Sequence, residues 1–210
     1  MKSFIEPFII YWVLFFRIPA GSAPGEVLAF SWAAETGRIL MYTLPSLALV
    51  WYLLLKAKSL KEMGITLPKK KDFIVAALAF SALTLIGVTI SLVSSRFGEA
   101  ALRQSLNPQS AAAWAVLAVS CVGSAYLEES FFRFYLLSKR EEMGLGPHRA
   151  VLVSTLLFSL CHIYEGPWGF LNSALSGVVL AFAFLRFRSL HGVAVAHALY
   201  NILAYVLSSV

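Results

Sequence analysis

The chain has 210 residues, of which 59% are hydrophobic and only 13% charged, and it carries a formal net charge of +6. An apolar share above the usual ~45–50%, laid down in long blocks, excludes an ordinary soluble domain. It predicts an all-α, polytopic transmembrane bundle of about seven spans. The positive charge does not point to nucleic acid. Six of the 17 basic residues (Lys56, Lys58, Lys61, Lys69, Lys70 and Lys71) fall in one short connection between two apolar blocks, the signature of a cytoplasmic loop.

In chain order, the spans are expected near residues 4–19, 38–55, 73–93, 111–137, 149–163, 169–186 and 193–209. The first block resembles a signal peptide in its Met1-Lys2 start and in the small residues Ala20-Gly21-Ser22-Ala23. Glu6, Pro7 and Arg17 interrupt that pattern, which favours a retained helix. Residues 20–37 read as a mixed segment whose Val27–Ala34 part lies at the interface or joins the second helix.

Placing the amino terminus in the cytoplasm puts 12 basic residues on that side and leaves Arg17, Arg38, Arg96 and Arg103 opposite. The amino terminus is therefore expected inside. No repeat or separable soluble segment stands out, so residues 1–210 read as a single integral-membrane domain. Ser173, Gly177 and Ala181 form a small-residue stripe on the sixth span, suited to close helix packing. Cys121 and Cys161 lie in apolar spans, without the clustering of a zinc-cysteine site.

The fourth span carries the most costly residues. Ionisable groups within a bilayer are rare and face protein or an aqueous cavity. In Tyr126-Leu127-Glu128-Glu129-Ser130-Phe131-Phe132-Arg133, Glu129 and Arg133 stand four apart, in the favourable order for an ion pair. Glu128 is rotated about 100° from Glu129, which leaves it free to act. Downstream, His162 ends the fifth span, and His197 and Asn201 share one face of the last. Taken singly, each set also reads as structural: an ion cluster, an interfacial histidine, a hydrogen-bonded helix pair.

Together the three sets suggest a water-activating site. Glu128, assisted by His162, would deprotonate water for attack on a peptide carbonyl, and His197 with Asn201 would stabilise the oxyanion. Alternatively, Glu128, His162 and His197 are a zinc set, although the HExxH spacing of common zinc proteases is missing. By helix rise, Glu128 and His197 fall about 13 and 8 Å from the cytoplasmic end and His162 about 20 Å along its helix, a mismatch in depth. His148, His191 and the pair Glu141-Glu142 read as solvated. Tyr164 and Trp168 read as interfacial anchors, and Glu165 as a possible partner of His162.

Glu128-Glu129 with Arg133 is similar to an EExxxR motif, Phe158 with His162 to FxxxH, and His197 with Asn201 to HxxxN. In this order, over about residues 111–205, they resemble the CAAX-protease and bacteriocin-processing (Abi) family of intramembrane proteases. The resemblance implies endopeptidase activity, a cavity open to the cytoplasm and a membrane-anchored, lipidated or exported protein or peptide as substrate. It also implies Glu128 as catalytic glutamate, His162 as its partner, His197 and Asn201 as oxyanion stabilisers, and Glu129 and Arg133 in support. The family is described both as glutamate-type, with no cofactor, and as metal-dependent. Asn201 suits the glutamate version better. The competing function is a non-catalytic membrane protein: an ion or proton pathway, or an immunity or scaffold role.

Overall fold

A computed structural model describes residues 2–16, 30–57, 67–98 and 108–208. Among these the chain is helical throughout, and seven helices follow the seven apolar blocks. Helix α1 spans Lys2–Leu14. Helix α2 runs from Trp32–Arg38 through a wide turn at Ile39–Thr43 into Leu44–Ala57. Helix α3 is Lys70–Arg96, and α4 runs from Ala111–Glu129 through a second wide turn at Ser130–Tyr135 to Leu136–Ser138. Helices α5, α6 and α7 are Pro147–Leu160, Gly166–Phe187 and Leu190–Leu207.

Five of these are long and apolar enough to cross a membrane: Trp32–Lys56, Lys70–Arg96, Ala111–Ser138, Ile163–Phe187 and Leu190–Leu207. The chain is a multi-pass membrane protein. The first and fifth blocks form shorter helices of 13 and 14 residues, about 20 Å each, below the ~30 Å of hydrocarbon. The part of the first predicted span beyond residue 16, with the small residues 20–23, lies outside the described residues.

Local sequence explains the two irregular turns. Pro45 has no N–H to give to the carbonyl of Met41, and its ring crowds that oxygen, so the helix widens through Ile39–Thr43 just before it. In α4 the widening begins at Ser130, directly after Glu129, and carries Phe131 to Tyr135 into full burial. Such wide turns are frequent at functional sites. Phe131 and Phe132 are met by Phe15, just past α1, at ring-centre separations of 4.8 and 4.9 Å. Lipid tails are as apolar as these rings, so shape-fitted contact, not the hydrophobic effect, holds α1 in place.

Contacts at the ends of the bundle fix the direction of each helix. Asp72, at the start of α3, accepts a hydrogen bond from Ser189 just before α7 and another from the backbone N–H of Lys69 at 2.7 Å. Three residues further along α3, Val75 packs against Gly192 so closely that a Cβ there would collide with it. Helices α3 and α7 therefore begin side by side. At the same end, Lys139 meets Glu6 at 2.9 Å. At the opposite end, the Phe97 ring, just past α3, packs on Trp168 at 5.8 Å, and Arg38 of α2 reaches Ser120 of α4. One end thus carries the end of α2, the start of α3 and the connections at 139–146 and 188–189. The other carries the start of α2, the α5–α6 turn and the end of α7.

The predicted small-residue stripe sits at a close crossing. Ser173, Gly177 and Ala181 are all buried, and Gly177 lies against Thr155 and Phe158 of α5 with no space for a larger side chain. The expectation for His191 is corrected. It is half-buried, and its ring hydrogen-bonds the Tyr126 hydroxyl at 2.9 Å, because α7 begins against α4 and not in a solvated loop. Cys121 and Cys161 are both free thiols.

Candidate active site

Helices α4, α5, α6 and α7 enclose a cavity of about 390 Å³ that Glu128, His162, His197 and Asn201 all line. The wide turn after Glu129 separates the two acids in role. Glu129 and Arg133 are fully buried, with Oε2 and Nε 3.2 Å apart. Glu128 turns into the cavity, and its side chain keeps 21% of its exposure.

Arg133 is further enclosed by α5 and α6. Its guanidinium lies 4.3 Å from the centre of the Phe158 ring, and Nη2 donates to the Gly177 carbonyl at 3.4 Å. A Cβ at position 177 would stand 3.2 Å from both Phe158 and Thr155, so glycine eases this approach. Phe158 also touches the rings of His162, at 4.7 Å, and His197, at 5.7 Å. It is a shared wall against which the Arg133 guanidinium and both imidazole rings lie, a role its place in a hydrophobic run does not reveal.

His197, on α7, is almost fully buried between the two acids. Its Nδ1 lies 2.9 Å from Glu129 Oε1 and its Nε2 lies 3.7 Å from Glu128 Oε2. A carboxylate only accepts, so Nδ1 carries the proton in the first contact. The second distance is too long for a direct hydrogen bond and leaves the buried Glu128 Oε2 without a partner. Glu129 thus holds both Arg133 and His197, tying α4 to α7.

His162 lies in the turn after α5, and its Nδ1 is 2.9 Å from the Phe158 carbonyl oxygen. Because that oxygen only accepts, Nδ1 is the donor, and Nε2 is the nitrogen this contact does not engage. The expected mismatch in depth is reduced by the register of α5 against α4. Ser154 donates to the Phe132 carbonyl at 2.7 Å, and the Phe158 ring meets those of Phe132 and His197. His162, one turn beyond Phe158, therefore comes near the level of Glu128, one turn before Phe132. Asn201, one turn beyond His197, is half-buried on the wall. Its neighbour Tyr200 donates to Asn172 at 2.9 Å.

The sequence reading missed part of the lining. Glu35 and Arg38 of α2 form an ion pair at 2.8 Å that Ser120 of α4 bridges, and both charged residues border the cavity. Glu35 stood in a segment read as mixed because Thr36-Gly37 dilutes its helical pattern. Asn172, Ser176 and Tyr205 also line the cavity, from positions that look like ordinary span residues. Tyr164, read as an anchor, and Glu165, read as a partner of His162, both line its rim.

The mouth is formed by the start of α2, the α5–α6 turn and the end of α7, away from the basic connections. An amino terminus inside and a cavity open to the cytoplasm therefore cannot both hold, because they assign the two ends oppositely. Among the described residues no group of three or more His, Cys, Asp or Glu side chains is arranged to hold a metal ion.

Residues 110–203, a little under half of the chain, match the family model described as Type II CAAX prenyl endopeptidase Rce1-like. This segment is similar to that family. It contains α4 to the greater part of α7, and with them every residue of the EExxxR, FxxxH and HxxxN sets. No curated protein and no solved structure matches the chain. The candidate site thus lies wholly within the matched segment of a multi-pass membrane protein.

Proposed function

We propose that the protein is an intramembrane endopeptidase of the glutamate type that cleaves a membrane-associated, lipidated or exported protein or peptide. The observation that carries this reading is the convergence of Glu128, His162, His197 and Asn201 on one cavity, backed by the buried Glu129–Arg133 pair. The Rce1-like match over the same residues supports the reaction class.

In this mechanism a water sits between Glu128 and His162. Glu128, with His162 Nε2 beside it, takes the water's proton as the oxygen attacks the peptide carbonyl. The carbonyl oxygen gains negative charge, and the Asn201 amide and the protonated Nε2 of His197 donate to it. Glu129 keeps His197 in the orientation this requires, and with His197 protonated the charges of Glu128, Glu129, Arg133 and His197 sum to zero. Collapse of the tetrahedral intermediate breaks the C–N bond, and the proton held by Glu128 passes to the leaving amine. No step is routed through a metal.

Comparison of protein termini in membranes of cells making the wild type or Glu128→Gln at matched levels tests this reading. New termini present only with the wild type are expected. Identical termini in the organism's own membranes would refute it.

A further inference from the structure

The residues at the mouth of the cavity and the basic residues of the chain lie at opposite ends of the bundle. The rim is built from Glu35 and Arg38 in the first two turns of α2, Tyr164 and Glu165 in the α5–α6 turn, and Tyr205 and Ser208 at the end of α7. The deep end is closed by Glu128, His197, Leu83 and Leu180, partway down their helices. Below it the bundle is filled by Phe131, Phe132, Phe134, Leu136, Leu137 and Phe184, all buried, so this end offers no second entrance to the same cavity.

The far end gathers cations. Lys56, Lys69, Lys70, Lys71, Lys139, Arg140, Arg186 and Arg188 all belong to helix termini or connections there. The Asp72–Ser189 and Glu6–Lys139 contacts join these connections across one face. The mouth end, among the described residues, carries Arg38 and Arg96 as its cations, and Arg38 is neutralised by Glu35. Lys and Arg in short connections mark the cytoplasmic side, and here the asymmetry follows the same axis as the cavity.

We infer that the cavity is loaded from the non-cytoplasmic face, so that its substrate is the translocated segment of a membrane-held or exported polypeptide, not a tail presented in the cytoplasm. A segment arriving from that side meets a polar rim: two carboxylates, a guanidinium and two phenols. That lining suits an extended, hydrated peptide. The direction of opening rests on geometry and charge alone. The identity of the cargo as a peptide rests on the proteolytic reading above.

Single-cysteine labelling tests the direction without requiring cleavage. Glu165→Cys places a thiol on the exposed rim, and Glu141→Cys places one on the exposed connection at the opposite end. Both are made in the full-length protein and treated with a membrane-impermeant maleimide, with the wild type as baseline for Cys121 and Cys161. Glu165→Cys is expected to label in intact spheroplasts of a bacterial host, and Glu141→Cys only in inverted vesicles. The reverse pattern, or equal labelling of each from both sides, overturns the inference. If the expected sidedness is found while Glu128→Gln leaves membrane termini unchanged, the opening stands and the proteolytic reading fails instead.

Discussion

Removal of Glu129 separates the structural from the chemical work of the buried cluster. In Glu129→Leu, Arg133 is left fully buried without its carboxylate. Stripping one partner from a buried ion pair costs about 3–5 kcal/mol, and the Phe158 ring beneath the guanidinium offsets about 2 kcal/mol of that at most. The His197 Nδ1–H loses its acceptor as well, at about 1–3 kcal/mol. Adding Arg133→Met removes the stranded charge while keeping similar volume, and leaves only the histidine penalty. The double variant is therefore expected to be about 1–3 kcal/mol more stable than the single one, although it carries one more substitution. Urea unfolding in detergent micelles measures the difference. Cleavage should stay lost in both, because His197 has no anchor in either. A double variant no more stable than Glu129→Leu would refute the view of Glu129 and Arg133 as a mutually neutralising pair. Cleavage by either variant would refute the orientation of His197 through Glu129.

Asn201→Ala should lower kcat by about 10²–10³-fold with little change in KM, since the amide acts on charge that develops only in the transition state; steady-state kinetics on a cleavable peptide checks this. Gly177→Ala would set a methyl group 3.2 Å from both Phe158 and Thr155, an overpacking expected to cost about 1–3 kcal/mol and to lower activity by displacing Phe158, as thermal unfolding and a cleavage assay would report. Asp72→Ala removes the contacts that join the starts of α3 and α7, and a loss of about 1–2 kcal/mol is expected, as for a helix cap. Cleavage should persist after dialysis against a strong chelator; activity that vanishes and returns with added zinc would revive the metal-ligand alternative.

Much of the helical layout could be read from the chain because long apolar blocks permit little else in a bilayer. The Glu128-Glu129 and Arg133 register was also legible, since spacing along one helix determines which side chains share a face. What could not be read depended on contacts distant in sequence. Glu35 and Arg38 meet Ser120 across more than eighty residues, and no local pattern encodes that approach. The Gly177 crossing explains why Phe158 stands between Arg133 and two histidines, but periodicity alone marks Phe158 only as apolar. His162 looked misplaced because depth was counted along each helix from one common end. The pairing of Phe158 with Phe132 and His197, distant in sequence, sets its level. Pro45 gives the wide turn of α2 a local cause, whereas the wide turn after Glu129 has no comparable one.

The central claim is that Glu128 is the base that activates water, and purified protein in lipid vesicles tests it most directly. The cleavage rates of wild type, Glu128→Gln and His162→Ala are compared on one peptide, with unfolding midpoints measured alongside. Glu128→Gln is expected to abolish cleavage with its midpoint close to that of the wild type, and His162→Ala to leave a small residual rate. Cleavage by Glu128→Gln at the wild-type rate would contradict the account.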